Sequence, residues 1–142
     1  MHTVAQMLSL KNFPPVTISA NDSVIEALRI MAEKNIGALI VMNGEEYLGI
    51  LTERDYSRKI VLKGKNSNDT HVAEIMSTGL PTLNTADNTE RCMELMSAHN
   101  VRYLPVFEQS RLTGIISMSD VVRSTIASQK ETIDHLQTYI NS

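Results

Sequence analysis

Gly49-Ile50-Leu51-Thr52-Glu53-Arg54-Asp55 recurs 65 residues later as Gly114-Ile115-Ile116-Ser117-Met118-Ser119-Asp120. Both stretches read glycine, two apolar residues, a hydroxyl, two variable positions and an aspartate. Extending the match outward without a gap lays Thr17–Arg58 onto Thr82–Arg123. Ten of those 42 positions are identical, among them Asp22/Asp87, Met31/Met96, Asn35/Asn100, Leu39/Leu104, Val41/Val106 and Arg58/Arg123. Ordinary composition gives roughly two or three. Further upstream, Val4-Ala5-Gln6-Met7-Leu8 resembles Val72-Ala73-Glu74-Ile75-Met76 at an offset of 68, which puts three extra residues in the first copy, at the Lys11–Pro15 turn. The chain is one unit written twice, joined through the polar, turn-rich stretch Lys63–Thr70.

Each copy reads as strand, helix, strand, strand, helix. A short strand at Val16–Ile18 (Thr82–Leu83) leads to a helix capped by Asp22 or Ser23, with Val24, Ala27, Leu28 and Met31 at helical spacing. Thr89, Cys92, Met93 and Met96 hold the same places in the second copy. Two strands follow, Ala38–Met42 and Tyr47–Leu51 around a turn at Asn43–Glu45, matched by Tyr103–Phe107 and Leu112–Ile116. A second helix starts at Thr52 (Ser117). The expected class is a mixed α/β (α+β) fold of two β-α-β-β-α repeats, divided at 1–66 and 67–128. A helical extension over 129–142 completes the chain. Each unit alone is too small to hide its sheet and helix faces.

Composition narrows the function. The 142 residues are 42% hydrophobic and 20% charged, with a net charge of −3. That is ordinary for a globular protein, and it argues against non-specific nucleic-acid binding, which needs a concentrated basic surface. One cysteine, Cys92, excludes an intrachain disulfide and a multi-cysteine zinc site. No apolar run approaches the roughly 20 residues of a membrane span. Met1–Leu10 lacks the basic start and apolar stretch of a signal peptide, so a cytoplasmic location is expected.

The strand-to-helix motif carries the candidate chemistry. Residues three apart share a helix face, so Thr52 with Asp55, and Ser117 with Asp120, can meet one small polar object at a helix start. A carboxylate there can accept both hydroxyls of a vicinal diol such as a ribose. The same residues also fit plain capping boxes. Recurrence in both repeats favours the ligand reading.

These motifs, with Asn100-Val101-Arg102-Tyr103-Leu104-Pro105-Val106, make the chain resemble a tandem pair of cystathionine-β-synthase (CBS) domains, a Bateman module, over about Thr3–Ser124. The resemblance implies two repeats packed with pseudo-twofold symmetry and two clefts that take adenosine-containing ligands. AMP, ATP and NAD(H) are the ligands expected here, with no catalytic cofactor and no metal. It implies ribose contacts from Asp55 with Thr52 and from Asp120 with Ser117. Phosphate contacts fall on Arg102, Arg54 and Ser119, and the adenine or cleft wall on Ile18, Ala38, Tyr103, Leu104 and Pro105. Gly37-Ala38 stand where the second copy has Arg102-Tyr103, so the two clefts should differ.

Other residues carry weaker signals. His2, His71, His99 and His135 show no metal-ligand spacing and read as surface histidines. Cys92 matches Ala27 and reads as a small core residue. Lys59, Lys63 and Lys65 read as a solvated face and linker. No G-x-G-x-x-G and no catalytic triad is legible, so an enzyme is not expected. The expected function is a non-enzymatic adenine-nucleotide sensor acting through a homodimer or an unidentified effector protein. The alternative is a structural dimerisation module with vestigial clefts. The apolar stripe Val122, Ile126, Ile133, Leu136 and Ile140 on the last helix either folds back on the body or meets a second copy.

Overall fold

The two 11-residue helices open on a short polar side chain and close on an asparagine. In the computed structural model, which describes residues 2–11 and 13–141, the Ser23 hydroxyl accepts the Glu26 N–H and starts Val24–Lys34. The Asn88 side chain accepts the Arg91 N–H and starts Thr89–His99. Asn35 and Asn100 end these helices in the left-handed region, each at φ 53°, a conformation asparagine tolerates better than most residues. In chain order the elements are α1 (Val4–Ser9), β1 (Thr17–Ser19), α2 (Val24–Lys34), β2 (Ala38–Asn43), β3 (Glu46–Thr52), α3 (Glu53–Tyr56), α4 (Val72–Ile75), β4 (Leu83–Asn84), α5 (Thr89–His99), β5 (Tyr103–Glu108), β6 (Arg111–Ser117) and α6 (Met118–Asn141). A π-helical turn, Ser57–Val61, continues α3.

The two repeats build two three-stranded sheets of the same design. In β1-β2-β3 and in β4-β5-β6 the middle strand pairs in parallel with the first and antiparallel with the third. Even the irregularity repeats, with a register shift at Val41/Met42 and again at Val106/Phe107. Strand alternation then sorts the side chains. Leu39, Val41 and Leu51 join Ala27 and Met31 in one core, and Leu104, Val106 and Ile116 join Cys92 and Met96 in the other. Matched positions of the two copies thus do the same packing.

The chain folds as two compact units, and their borders differ from those of the sequence repeats. Pro15–Leu80 forms one continuous unit. Met1–Pro14 with Pro81–Ser142 forms a split one. In the split unit, Val4 and Met7 of α1 are buried in the core with Leu83 and Cys92. The Val4 and Ala5 N–H groups donate to the carbonyls of Asp87 and Thr85. In the continuous unit, Val72 and Ile75 of α4 fill the corresponding place. The turn expected over Lys11–Pro15 includes Asn12, which lies outside the described residues.

The stretch between the repeats is built into the continuous unit. The carbonyls of Thr70 and Ser67 accept the N–H groups of Val24 and Ile25 at 2.9 and 3.1 Å. These donors at the start of α2 have no partner within the helix, which is why a polar segment settles there. Thr70 is buried and donates its hydroxyl to the Asn66 carbonyl at 2.8 Å.

The long helix of the second copy is present as α6. Its buried residues, Asp120, Val121 and Ser124, lie in its first two turns. From Gln129 to Asn141 every residue is exposed, so the apolar stripe does not fold back on its own unit. His2 is not the surface histidine expected. Its Nδ1 lies 2.6 Å from the Ser124 hydroxyl and its Nε2 3.4 Å from Glu131 Oε1, with only 12% of the side chain exposed. No helix among the described residues is long and apolar enough to cross a membrane.

Candidate functional site

The site in the continuous unit forms where β3 runs into α3. Thr52 caps the helix and its hydroxyl accepts the Asp55 N–H at 3.1 Å. Asp55 Oδ2 in turn accepts the Thr52 N–H at 3.0 Å and the Thr52 hydroxyl at 3.1 Å. The other oxygen, Oδ1, accepts the Ser77 hydroxyl at 2.8 Å and pairs with Lys59 Nζ at 3.1 Å. Lys59 also donates to the Ile75 carbonyl at 2.9 Å, which holds the ammonium over the buried carboxylate.

The split unit repeats the box at β6 and α6. The Ser117 hydroxyl accepts the Asp120 N–H at 3.0 Å, and Asp120 Oδ2 accepts the Ser117 N–H at 2.8 Å. Lys11 Nζ reaches the same Oδ2 and the Ile115 carbonyl, both at 2.9 Å. Arg123 donates to Oδ1 at 2.8 Å. Burial pushes the Asp120 carboxyl up, but the Ser117 N–H, the Lys11 ammonium and the Ser117 hydroxyl outweigh it and hold the group below its ordinary value.

Both aspartates therefore sit in reciprocal capping boxes, as their spacing allowed. What spacing did not show is the cation. Asp55 and Asp120 are matched residues, yet their lysines come from unmatched positions. Lys59 lies one turn beyond Asp55 on its own helix. The residue matching it, Ser124, binds His2 instead. Lys11 arrives from the segment after α1, at the place where the other copy has Gly79. Lys59 was legible as an i, i+4 partner of Asp55. No pattern in the sequence pointed to Lys11 or Ser77.

The strand before the motif is brought directly beside it. Ala38 lies opposite Thr52 and Tyr103 opposite Ser117 across the antiparallel ladders. The first N–H of each motif helix donates to the residue before that strand, Glu53 to the Gly37 carbonyl at 3.1 Å and Met118 to the Arg102 carbonyl at 2.9 Å. The exposed Arg102 side chain starts from this junction, with Arg54 and Ser119 exposed on the first turns of α3 and α6. Ala38, Tyr103 and Pro105 alternate onto the sheet face opposite the core. Ile18 and Leu104 do not share that face, because their side chains are buried in the cores of their units.

The Cys92 thiol is fully buried, and burial together with the nearby Asp87 charge pushes it up to about 11, which leaves it a core side chain. Among the described residues no three His, Cys, Asp or Glu side chains gather in a metal-binding cluster.

Comparison with known proteins agrees with this architecture. The model of the CBS domain family matches twice, over residues 8–62 and 72–126. A protein with CBS domains from Burkholderia ambifaria MC40-6 has the same fold, with a TM-score of 0.86 and 44% identity. That match covers 90% of this chain and 96% of the other. The mitochondrial CBS domain-containing protein CBSX3 of Arabidopsis thaliana is 35% identical over 127 residues, 86% of this chain and 62% of CBSX3. This chain thus spans less than two thirds of CBSX3. The CBS domain-containing protein YhcV of Bacillus subtilis is 32% identical over 113 residues, 80% of each chain. With two matched repeats on a shared fold, the chain belongs to the CBS domain family, as a tandem pair of these regulatory modules.

Proposed function

We propose that the chain is a non-enzymatic regulatory module of the cytoplasm that binds adenine nucleotides, AMP, ATP or NAD(H), at two unequal sites centred on Asp55 and Asp120. The observation that carries this reading is the repeated pairing of a buried motif carboxylate with a lysine supplied from a different place each time. A capping box alone needs no lysine. A ribose diol would take over acceptor positions on the carboxylate, and the displaced ammonium would then be free to meet a phosphate. Arg102, with Arg123 on Asp120 Oδ1, strengthens the phosphate side of the Asp120 site through the bidentate geometry of a guanidinium. Arg54 serves the Asp55 site, where Gly37-Ala38 supply no charge. The bound state is read by a second copy of the chain, in a symmetric homodimer, or by an effector protein.

Calorimetric titration with AMP, ATP and NAD(H) tests the reading. Asp55→Asn and Asp120→Asn should each weaken one site roughly ten- to hundredfold, the loss of one charged hydrogen-bond acceptor. Arg102→Ala should weaken only the Asp120 site, and more for ATP than for AMP. Unchanged binding in the double Asp→Asn variant would overturn the ribose assignment. One observation favours the second reading, a dimerisation module with vestigial sites: both carboxylates already have their hydrogen bonds filled by protein. Absence of any heat of binding, and of co-purified nucleotide in native mass spectrometry, would select it.

A further inference from the structure

Helix α6 has two faces with different roles. Asp120, Val121 and Ser124 are buried, and two turns further along that side Glu131 contacts His2. The opposite side carries Val122, Ile126, Gln129, Ile133, Leu136 and Ile140, at alternating steps of four and three residues. This is a heptad seam, with Ile126, Ile133 and Ile140 in its a column and Val122, Gln129 and Leu136 in its d column. The five apolar members are 50–77% exposed. From Gln129 to Asn141 every residue of the helix is exposed, and a helix segment with so little packing is marginal in water.

We infer that the α6 tails of two copies pair as a parallel, two-stranded coiled coil. The inference rests on the homodimer proposed above and specifies how it is held together. Isoleucine at every a position, with Leu136 at d, favours two parallel strands. Gln129 chooses the direction. In parallel register it meets Gln129 of the second copy and the two amides can bond each other, whereas an antiparallel tail would set it against isoleucine. The flanking positions agree. In parallel register Lys130 faces Thr125 of the second copy and Gln137 faces Thr132, so no like charges meet along the seam. A parallel pair also lies naturally on a twofold axis.

The test is site-directed crosslinking of the full chain with a short bis-maleimide, alongside sedimentation. Ile126→Cys, Ile133→Cys and Ile140→Cys change exposed residues, and buried Cys92 contributes little background. All three variants should crosslink to dimer at least about tenfold faster than Asp134→Cys, which lies off the seam. Crosslinking at one position alone would mean antiparallel tails and overturn the inference. A dimer by sedimentation with no crosslinking above the Asp134→Cys level would keep the homodimer and reject the tail as its interface. A monomer would reject both, and a monomer that floats with anionic vesicles would assign the seam to a lipid surface.

Discussion

Replacing Asp120 by alanine is expected to destabilise the protein by about 3–5 kcal/mol, the usual cost of removing one partner from a buried ion pair. Asp120 Oδ2 holds Lys11 at 2.9 Å and the Ser117 N–H at 2.8 Å, and the lysine is only 18% exposed. Without the carboxylate, a largely buried ammonium loses its counter-charge and keeps only the Ile115 carbonyl, and the first turn of α6 loses its cap. Arg123 adds little, because its side chain is 71% exposed and solvent screens the pair. The sign of the pH dependence follows from the lowered carboxyl. A group depressed on folding gives its stability in full above the ordinary carboxylate range and loses it as pH falls through the folded value. The advantage of the natural protein over Asp120→Asn should therefore be constant near neutrality and shrink below about pH 4. Urea unfolding at neutral and acid pH measures both effects. A loss under about 1 kcal/mol for Asp120→Ala would show that the Lys11 pair contributes no more than a surface ion pair.

Gly49→Ala should be nearly as damaging, at about 3 kcal/mol, and Gly114→Ala should cost under about 1 kcal/mol. Neither glycine has a positive φ, so space rather than torsion decides. A Cβ on Gly49 would strike the Ser77 carbonyl oxygen. That carbonyl is fixed, because Ser77 and Ile50 exchange backbone hydrogen bonds of 3.0 and 2.8 Å. A Cβ on Gly114 meets the Leu8 Cδ2 at 2.9 Å, the tip of a side chain that can rotate away. Thermal melts of the two variants measure the contrast, and equal losses would contradict it. A second effect accompanies the first, because moving Ser77 also withdraws its hydroxyl from Asp55.

The repeat made the fold legible because strand and helix periods sort side chains locally. Ala27 and Cys92, or Leu39 and Leu104, could be assigned to cores by spacing alone. The same alternation placed Leu104 with Val106 on the core face, so its assignment to a cleft wall conflicted with information already present. The capping boxes were legible too, since a hydroxyl and a carboxylate three residues apart need only one helical turn to meet. What surrounds each carboxylate was not. Ser77 and Lys11 reach it through tertiary folding from segments outside the matched repeat, and no pairwise comparison of the two copies aligns one with the other. The Lys63–Thr70 stretch misled for a related reason. Polar composition marks a segment able to face water, and here the same polarity answers the free N–H groups of α2.

The interleaving of the two units has a consequence for synthesis. Helix α1 leaves the ribosome before β1, but its packing partners begin only at β4, beyond the whole of Pro15–Leu80. At roughly 5–20 residues per second, α1 waits several seconds with Val4 and Met7 uncovered while the continuous unit is finished. The unit that starts second is thus the first able to fold. Helix α1 becomes the closing piece of the split unit, a late-fitted part of the second repeat.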